Sequence, residues 1–338
     1  MSAMRRFAAR AALALAALLA PAAAAQTVEG SFAARSDVRA FIREMVERHA
    51  FVASELEFLF SRARRLEQVL KAIAPPRDPR ERSWRAYRDR FVNDARIAEG
   101  VEFWRRHQAA LARAAAQHGV PEEIIVAIIG VETLYGRNAG SFRVIDALAT
   151  LAFDYPPRAD FFRSELEQFL LFARERELDV FSVRGSYAGA IGIPQFMPGS
   201  YRRWAVDFDG DGAADLRASA ADSVGSVANF LRAHGWRRGE PVALPAHVTG
   251  EAHREMLAAG VEPRFALAEL RAHGVETRAS LPMQTRVALI ELATPGAPTE
   301  YRLGLANFHV LTRYNRSSFY AAAVQDLARE LRARVAAR

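Results

Sequence analysis

The sequence predicts a mainly α-helical fold of the α+β class with one small mixed α/β insertion. Apolar residues recur at helical spacing over most of the chain, whereas strand-like patterns are confined to a late stretch. The 338 residues are 51% hydrophobic, which is enough for a large buried core in one or two domains. The absence of cysteine excludes disulfide scaffolds, thiolate metal sites and a cysteine nucleophile.

The first 25 residues have the three-part pattern of a secretory signal peptide. Arg5, Arg6 and Arg10 precede an apolar run, and Pro21 and small residues up to Ala25 follow it. The alternative is a membrane anchor, but the proline and the small-residue end favour cleavage after Ala25. We therefore expect an exported, soluble protein without a stable membrane anchor, and the lack of cysteine excludes a lipid anchor.

The charge balance of the chain is only mildly basic. The formal charge is +7, and it falls to +4 without the leader, because removing three arginines from 46 basic residues leaves 43 against 39 acids. Such an excess argues against dedicated nucleic-acid binding and is compatible with an anionic wall polymer.

Helical spacing predicts two or three helices over 36–73 and further helices over 84–91 and 97–118. A proline pair interrupts the pattern before an exposed loop predicted at 77–82. The next helix is predicted from Pro121 to about residue 135. Because this helix is nearly all apolar, we expect it to be buried.

The middle of the chain is predicted to hold two more helices and an irregular segment. Asp146 is interpreted as the N-cap of a helix over 147–153, and a long amphipathic helix follows Pro156 and Pro157. Residues 185–200 are rich in Gly, Pro and Ser, and they are too irregular for one element and too apolar for a surface linker.

The residue pattern changes from helical to strand-like at about residue 242. A helix over 223–234 precedes this point. Strand character follows over 287–292 and 301–305, on either side of a Pro-Gly turn. The tail, 317–338, returns to helix, so the mixed insertion is placed at 242–305.

Glu132 is the acidic residue that is hardest to explain structurally. It lies at the C-terminal end of the apolar helix, where low-dielectric surroundings and the negative end of the helix dipole both favour a protonated carboxyl. Such a carboxylic acid can protonate a leaving oxygen near neutral pH. Spacing alone leaves open an ordinary exposed glutamate at a helix end.

The segment 185–198 is a second candidate for function. Its small residues would let the backbone approach a ligand closely, and Ser186, Tyr187 and Gln195 supply polar groups and a ring edge that suit a sugar cleft. A tightly packed buried turn is the alternative.

Five short segments occur together in one order along the chain. They are Glu132–Gly136 (ETLYG), Asp146–Tyr155 (DALATLAFDY), Ser186–Ala190 (SYAGA), Pro194–Pro198 (PQFMP) and Asp222–Asn229 (DSVGSVAN). Together they resemble the motifs of the B-type lytic murein transglycosylases, and the resemblance extends from about Phe41 to the tail.

The resemblance implies a soluble periplasmic enzyme with a goose-lysozyme-like catalytic core, a flanking helical domain and a small β domain. After the signal peptide at 1–25, a helical and lysozyme-like catalytic region is expected at 26–241. A small α/β subdomain is expected at 242–305, and a segment returning to the cleft and the helical domain at 306–338.

The resemblance also implies that Glu132 is the single catalytic acid and base. It would protonate the oxygen between N-acetylmuramic acid and N-acetylglucosamine, assisted by the substrate's N-acetyl group. It would then deprotonate the C6 hydroxyl that closes the 1,6-anhydro ring. No catalytic cofactor is implied, and peptidoglycan strands are the expected partner. A lysozyme-like muramidase and a non-catalytic peptidoglycan-binding protein remain alternatives, and partners in wall synthesis remain open.

Two nearby acids, Asp146 and Asp154, are better explained as a helix N-cap and a turn residue. Where relatives carry two adjacent arginines, this chain has Pro157 and Arg158. The glycan cleft of the family implies further substrate-binding residues here. They are Ser186, Gln195, Arg158, Tyr87, Phe161, Phe230, Tyr314, Asn315 and Tyr320.

The acidic loop that begins at Asp207 resembles the start of an EF-hand, with oxygens at alternate positions and Gly212 at the sharp turn. Ala218 occupies the twelfth position, where an EF-hand needs a bidentate Glu. The variant of the family closes the site with a more distant Asp, so the resemblance implies a structural calcium ion in the loop 207–222. The implied ligands are Asp207, Asp209, Asp211, the carbonyl of Ala213 and Asp222. A solvated acidic turn is the alternative.

Overall fold

The computed structural model of the protein describes residues 31–74 and 83–337. The signal peptide predicted at 1–25 and the loop predicted at 77–82 lie outside the described residues. In the described ranges, most residues are helical, and the strands form one five-stranded sheet and one two-stranded sheet. The predicted mainly α-helical class is therefore confirmed.

The helices are α1 (Ser36–His49), α2 (Ala53–Arg62), α3 (Glu67–Ile73), α4 (Trp84–Phe91), α5 (Asp94–Arg106), α6 (Gln108–His118), α7 (Glu122–Thr133), α8 (Val144–Asp154), α9 (Ala159–Glu175), α10 (Pro198–Trp204), α11 (Ala220–Ala233), α12 (Arg254–Ala258), α13 (Leu267–Ala272), α14 (Ala306–Tyr314) and α15 (Ser318–Ala336). The strands are β1 (Phe142–Arg143), β2 (Arg184–Gly185), β3 (Ala243–Val248), β4 (Phe265–Ala266), β5 (Val275–Glu276), β6 (Arg286–Leu292) and β7 (Glu300–Gly304).

The N-terminal helices follow the spacing of the apolar residues. Helices α1 to α3 occupy the stretch 36–73, as predicted, and α1 buries Phe41 and Met45 one turn apart. The stretch 97–118 forms two helices, because His107 has φ −116° and ψ 22°, outside the helical range.

Helix α7 is the buried core helix that its composition predicts. Every residue from Ile124 to Val131 is buried. Helix α15 packs along α7, and α5, α6 and α11 also contact it. This packing holds the C-terminal end of α7, which carries Glu132.

The predicted role of Asp146 as an N-cap is wrong. Helix α8 begins at Val144, so Asp146 lies inside its first turn. The buried carboxylate accepts hydrogen bonds from the backbone N–H of Arg64 at 2.9 Å and from Nε of Arg143 at 2.7 Å. A prediction of capping depends on local neighbours, whereas Arg64 is 82 residues away in sequence.

The irregular segment predicted at 185–200 is confirmed. Strand β2 pairs with β1, Gly185 forms a bridge with Ile191, and α10 begins at Pro198. Gly185 is required here, because an added Cβ would lie 2.2 Å from the carbonyl oxygen of Ala190. The chain can therefore fold back tightly on itself between β2 and α10.

The five-stranded sheet has the order β4-β6-β7-β3-β5, and all its neighbouring strands are antiparallel. The two predicted strands are β6 and β7, which pair from Ala288 with Gly304 to Leu292 with Glu300. One face, including Leu289, packs in a small core with α12 and α13, while the other face joins the main core.

Within the described ranges, no single helix is long and apolar enough to cross a membrane, although α6 and α7 pass that test as a pair bent by 116°.

Candidate active site

A cleft of about 890 Å³ lies beside the C-terminal end of α7. Its walls include the segment after β2, the start of α9, helix α10 and the turn between α14 and α15. Eight of the ten predicted catalytic and substrate-binding residues line it. They are Glu132, Arg158, Phe161, Ser186, Gln195, Phe230, Tyr314 and Asn315. Tyr87 and Tyr320 are not in the lining.

Glu132 lies in the last turn of α7, with its carboxyl in the cleft wall. The hydroxyl of Tyr320 donates a hydrogen bond to Oε1 of Glu132 at 2.7 Å. Burial raises the pKa of Glu132 to about 7, and the hydrogen bond from Tyr320 opposes this rise. A substantial fraction of the carboxyl is therefore protonated near neutral pH.

Aromatic rings pack next to Tyr320, the hydrogen-bond partner of Glu132. The rings of Tyr314 and Tyr320 are nearly parallel, with centroids 6.3 Å apart, and Phe230 meets Tyr314 edge-on at 5.0 Å. Burial raises the pKa of Tyr320 well above its ordinary value, so its hydroxyl remains a donor. Burial, and then the charge of Glu132, raise the pKa of Tyr87 to about 12. These rings explain the apolar surroundings of the acid.

The turn that follows Glu132 has an uncommon backbone conformation. Leu134 and Tyr135 have φ of 52° and 59°, which non-glycine residues rarely adopt. The ring of Tyr135 fills a slot made by Gly100 and Gly130, where an added Cβ would lie 2.3 Å and 2.5 Å from its hydroxyl oxygen. That hydroxyl also donates to the carbonyl of Arg96 at 3.0 Å, so α5 holds the turn in place.

Helix α7 is tied to the small-residue segment by Thr133. Its hydroxyl donates to the carbonyl of Ile193 at 2.7 Å and accepts from the N–H of Gly136 at 2.9 Å. The hydroxyl of Tyr314 donates to the carbonyl of Pro194 at 2.5 Å. The segment is thus held from two sides, which fixes its position relative to Glu132.

Gln195 and Ser186 are held by backbone contacts. Nε2 of Gln195 donates to the carbonyls of Ala139 and Gly192 at 3.0 Å and 2.9 Å, and the residue has φ of 52°. Oγ of Ser186 accepts from the N–H of Ala190 at 3.1 Å. Its hydroxyl hydrogen has no acceptor among the described residues, so it can serve a ligand.

Arg158 and Phe161 form a platform at one edge of the cleft. The guanidinium carbon of Arg158 lies 4.4 Å from the ring centroid of Phe161, within cation–π range. Phe161 is 37% exposed, so part of its ring can stack on a sugar.

The cleft also contains residues that the sequence analysis missed. Glu165 is buried and its Oε2 accepts from the N–H of Gly199 at 2.8 Å; burial raises its pKa. The sequence contains a signal for the burial of Glu165, because this residue lies three residues after Phe162 on the apolar face of α9. Other missed residues come together only through the fold. They are Arg90, Asn138, Ser141, Arg203, Arg313 and Arg316.

Asp154, like Asp146, is absent from the cleft lining. It ends α8, and its carboxylate pairs with Arg35 at 2.6 Å and Arg65 at 3.1 Å. Both acids therefore serve structural contacts.

The acidic loop brings together three of the four predicted carboxylate ligands. Oxygens of Asp207, Asp209 and Asp211 lie within 4.8 Å of one another, and all three residues are exposed. Three clustered carboxylates are a donor set that a hard cation such as Ca²⁺ accepts. The loop therefore fits a calcium ion as far as these three ligands go.

Asp222 has a different place from the other three acids. Helix α11 begins three residues earlier than predicted, so Asp222 lies buried in its first turn. Its carboxylate accepts from the N–H groups of Phe208 at 2.7 Å and Asp215 at 2.8 Å. It closes the loop through the backbone.

Comparisons with known proteins agree with this architecture. The profile of the transglycosylase SLT domain family matches residues 33–329. Membrane-bound lytic murein transglycosylase B of Escherichia coli (strain K12) is 42% identical over 307 residues, which cover 88% of this chain and 83% of the relative.

Two solved structures are similar along nearly their whole length. Soluble lytic transglycosylase SltB1 from Pseudomonas aeruginosa is 49% identical, with a TM-score of 0.81, covering 88% of this chain and 99% of that one. The Escherichia coli lytic transglycosylase Slt35, solved in complex with calcium, is 40% identical, with a TM-score of 0.79, covering 91% and 96%. The chain therefore belongs to the transglycosylase SLT domain family and is a lytic murein transglycosylase.

Proposed function

We propose that Glu132 is the sole acid and base with which this enzyme cleaves the bond between N-acetylmuramic acid and N-acetylglucosamine. The observation that carries the proposal is a cleft-lining carboxyl whose pKa burial raises to about 7. A group with a pKa near the working pH can both give and accept a proton.

In the first step, protonated Glu132 gives its proton to the glycosidic oxygen. The bond from C1 to that oxygen breaks, and the N-acetyl group of the same muramyl residue stabilises the positive charge at C1. In the second step, the C6 hydroxyl attacks C1 and its proton passes to the Glu132 carboxylate. A 1,6-anhydro ring results, the acid is regenerated, and no water is consumed.

A single carboxyl suffices for this scheme, whereas hydrolytic glycosidases ordinarily use two. The other acid in the lining, Glu165, is buried against the backbone of α10 and accepts from Gly199. We assign it the structural role of holding the start of α10.

The proposed roles of the other residues follow from their positions. Ser186 and Gln195 hydrogen-bond the sugar from the small-residue segment, and Phe161 stacks on it. Phe230 is buried and stacked on His234, so we assign it to the apolar wall of the cleft. Arg158, Tyr314 and Asn315 complete the substrate surface. Tyr320 and Tyr87 lie outside the lining, so we assign them to the surroundings of Glu132.

We further propose that the acidic loop binds a structural calcium ion through Asp207, Asp209 and Asp211, with the carbonyl of Ala213 as an added ligand. Their clustering supports this, as does the calcium complex of Slt35. The ion would stiffen the loop and would take no part in the chemistry. We also propose that the signal pattern exports the enzyme to the periplasm, where peptidoglycan lies.

Product analysis tests the proposed reaction. Purified sacculi are digested with the enzyme, and the muropeptides are examined by mass spectrometry. We expect products that end in 1,6-anhydromuramic acid, lighter by one water than hydrolysis products, and release that is slower by about 10²-fold or more in Glu132→Gln. Reducing-end products would instead identify a muramidase on the same scaffold. Binding without release by the wild type would contradict catalysis.

A further inference from the structure

Asp326 is a buried carboxylate for which the proposed chemistry has no use. It lies on α15, is 1% exposed and is absent from the cleft lining. Its Oδ2 accepts hydrogen bonds from Nε of Arg88 at 2.9 Å and from Nη2 of Arg302 at 3.0 Å. Its Oδ1 lies 3.0 Å from Nη1 of Arg302. One carboxylate thus joins α15 to α4, which carries Arg88, and to β7, which carries Arg302.

The contacts of Arg302 continue to Trp84, the first residue of α4. The guanidinium carbon of Arg302 lies 5.5 Å from the centroid of the Trp84 ring. Glu300, also on β7, accepts from Nε1 of Trp84 at 2.9 Å and from Nε of Arg302 at 2.7 Å. The helices α15 and α4 and the strand β7 are therefore held together by one continuous set of polar contacts.

Both helices that Asp326 joins carry a tyrosine next to the catalytic acid. Tyr87 precedes Arg88 on α4, and Tyr320 lies six residues before Asp326 on α15. Six residues correspond to about 9 Å along a helix axis. The ring of Phe319, next to Tyr320, meets the ring of Tyr87 edge-on at 5.7 Å. A shift of α15 relative to α4 would therefore move the Tyr320 hydroxyl with respect to the catalytic acid.

A buried ion pair is a weak source of stability, because the loss of hydration offsets most of the attraction. Its geometry is exacting, since a guanidinium meets a carboxylate best through two parallel hydrogen bonds. Such a pair can therefore fix how elements fit together even where it adds little to stability. Arg329, on the same helix, lies 3.7 Å from Oδ1 of Asp326, but its side chain is 67% exposed and its charge is solvated.

The contact that this packing maintains is short. The hydroxyl of Tyr320 donates to Oε1 of Glu132 at 2.7 Å. A displacement of about 1 Å would carry this pair beyond hydrogen-bond range. Because the bond opposes the effect of burial on the pKa of Glu132, its loss would raise that pKa.

We infer that Asp326 is a positioning residue for the reaction. By holding α4 and β7 against α15, it keeps the hydroxyl of Tyr320 in contact with Glu132. The inference rests on the proposed function of Glu132, and it adds to that function a residue outside the cleft.

The alkaline limb of the pH profile of kcat/KM reports the state of Glu132. The titratable groups that raise or respond to its charge are phenols, Tyr320 on α15, Tyr314 on α14 and Tyr87 on α4. Burial raises the pKa of each phenol, so these groups stay protonated while Glu132 titrates. A shift of the limb is a result that a purely structural role of Asp326 would not produce.

A double-mutant cycle tests the inference. Asp326→Asn is made in the wild type and in Tyr320→Phe, and sacculus digestion is followed across the pH range. Arg88→Met is a second variant that removes one contact of the network from a partly exposed side chain, so it should fold. The matched control is Asp146→Asn, which also replaces a buried aspartate paired with an arginine, Arg143.

We expect Asp326→Asn to shift the alkaline limb upward by about 0.5–1 pH unit, in the direction expected for loss of the Tyr320 hydrogen bond. Arg88→Met should shift it in the same direction by less. In the Tyr320→Phe background, Asp326→Asn should add no further shift, because the bond that it maintains is already absent. Asp146→Asn should leave the limb in place.

A limb that stays in place or moves downward in Asp326→Asn and Arg88→Met would overturn the inference. Equal shifts in the wild type and in Tyr320→Phe would overturn it as well, since Asp326 would then act independently of Tyr320. So would an equal shift in Asp146→Asn. Failure of the proposed function is a separate result: wild-type products would lack the anhydro ring, whereas the limb comparison depends only on rates.

Discussion

Glu132 and the acidic loop 207–222 place their carboxyl groups in opposite environments, one buried and the other exposed. Glu132 is one acid among aromatic rings, with a single hydrogen bond from Tyr320. Asp207, Asp209 and Asp211 are three exposed acids whose oxygens converge. Burial of the Glu132 carboxyl favours its neutral form, whereas the three carboxyl groups of the loop are open to water.

The difference explains why one residue type can serve two purposes. Low-dielectric surroundings make Glu132 a proton donor near neutral pH, which chemistry requires. Clustered charges in water repel one another, and this repulsion is relieved when a hard cation binds.

The largest effect is expected from Glu132→Gln. The amide has nearly the same shape but neither donates nor accepts the required proton, so kcat should fall by about 10²–10⁴-fold. Glu123→Gln, in the first turn of the same helix, is the matched control and should retain activity. Muropeptide release rates measure both. Release by Glu132→Gln above a tenth of the wild-type rate would contradict the assignment.

Stability should depend on pH through Glu132. Its folded pKa is raised, so the folded protein binds more protons than the unfolded chain between the ordinary glutamate pKa and about 7. Stability is therefore lost as pH rises through that window, by about 3 kcal/mol in total. Urea unfolding at acid and alkaline pH should show this loss in the wild type and not in Glu132→Gln. Parallel pH curves for the two proteins would argue against a raised pKa.

Gly100→Ala should disturb the turn that follows Glu132. The new Cβ would meet the Tyr135 hydroxyl, so the ring must leave its slot and the strained turn after Glu132 loses its support. We expect a loss of about 1–3 kcal/mol in stability together with a lower kcat. Ala98→Gly in the same helix should cost about 1 kcal/mol and leave kcat unchanged. Normal kcat in Gly100→Ala would show that the slot does not position Glu132.

Tyr320→Phe should move the pH–rate profile without abolishing activity. In the wild type, the hydrogen bond from Tyr320 lowers the pKa of Glu132. Removing this bond therefore raises that pKa further. Activity needs the protonated acid, and the alkaline limb should shift upward by about one pH unit. Tyr87 does not donate this hydrogen bond, so Tyr87→Phe should leave the alkaline limb in place. An unmoved or lowered limb in Tyr320→Phe would contradict the contact.

The smallest effect concerns the acidic loop. Calcium in excess over its dissociation constant should raise Tm, and a chelator should reverse the rise. The double variant Asp209→Asn/Asp211→Asn should lose this response and keep its activity, while Asp215→Asn, outside the cluster, should keep both. Loss of activity on calcium removal would show that the two regions are coupled, contrary to the proposal.

Local patterns predicted the helices and drew attention to Glu132, because helical spacing and a charge at an apolar helix end are visible in neighbouring residues. They failed for Asp146, whose partner Arg64 is distant in sequence. They also missed that Tyr320 contacts Glu132 across 188 residues and that Arg90 joins Arg313 and Arg316 in one cleft. Such contacts form only when helices pack, so the pattern of neighbouring residues does not predict them.

The central claim is that burial makes Glu132 a weak acid with a pKa near neutrality. A carbon-13 NMR titration of its side-chain carboxyl, assigned by the signal that Glu132→Gln lacks, measures this directly. The account predicts a midpoint of about 7 in the free enzyme. A midpoint in the range of ordinary exposed glutamates would contradict it.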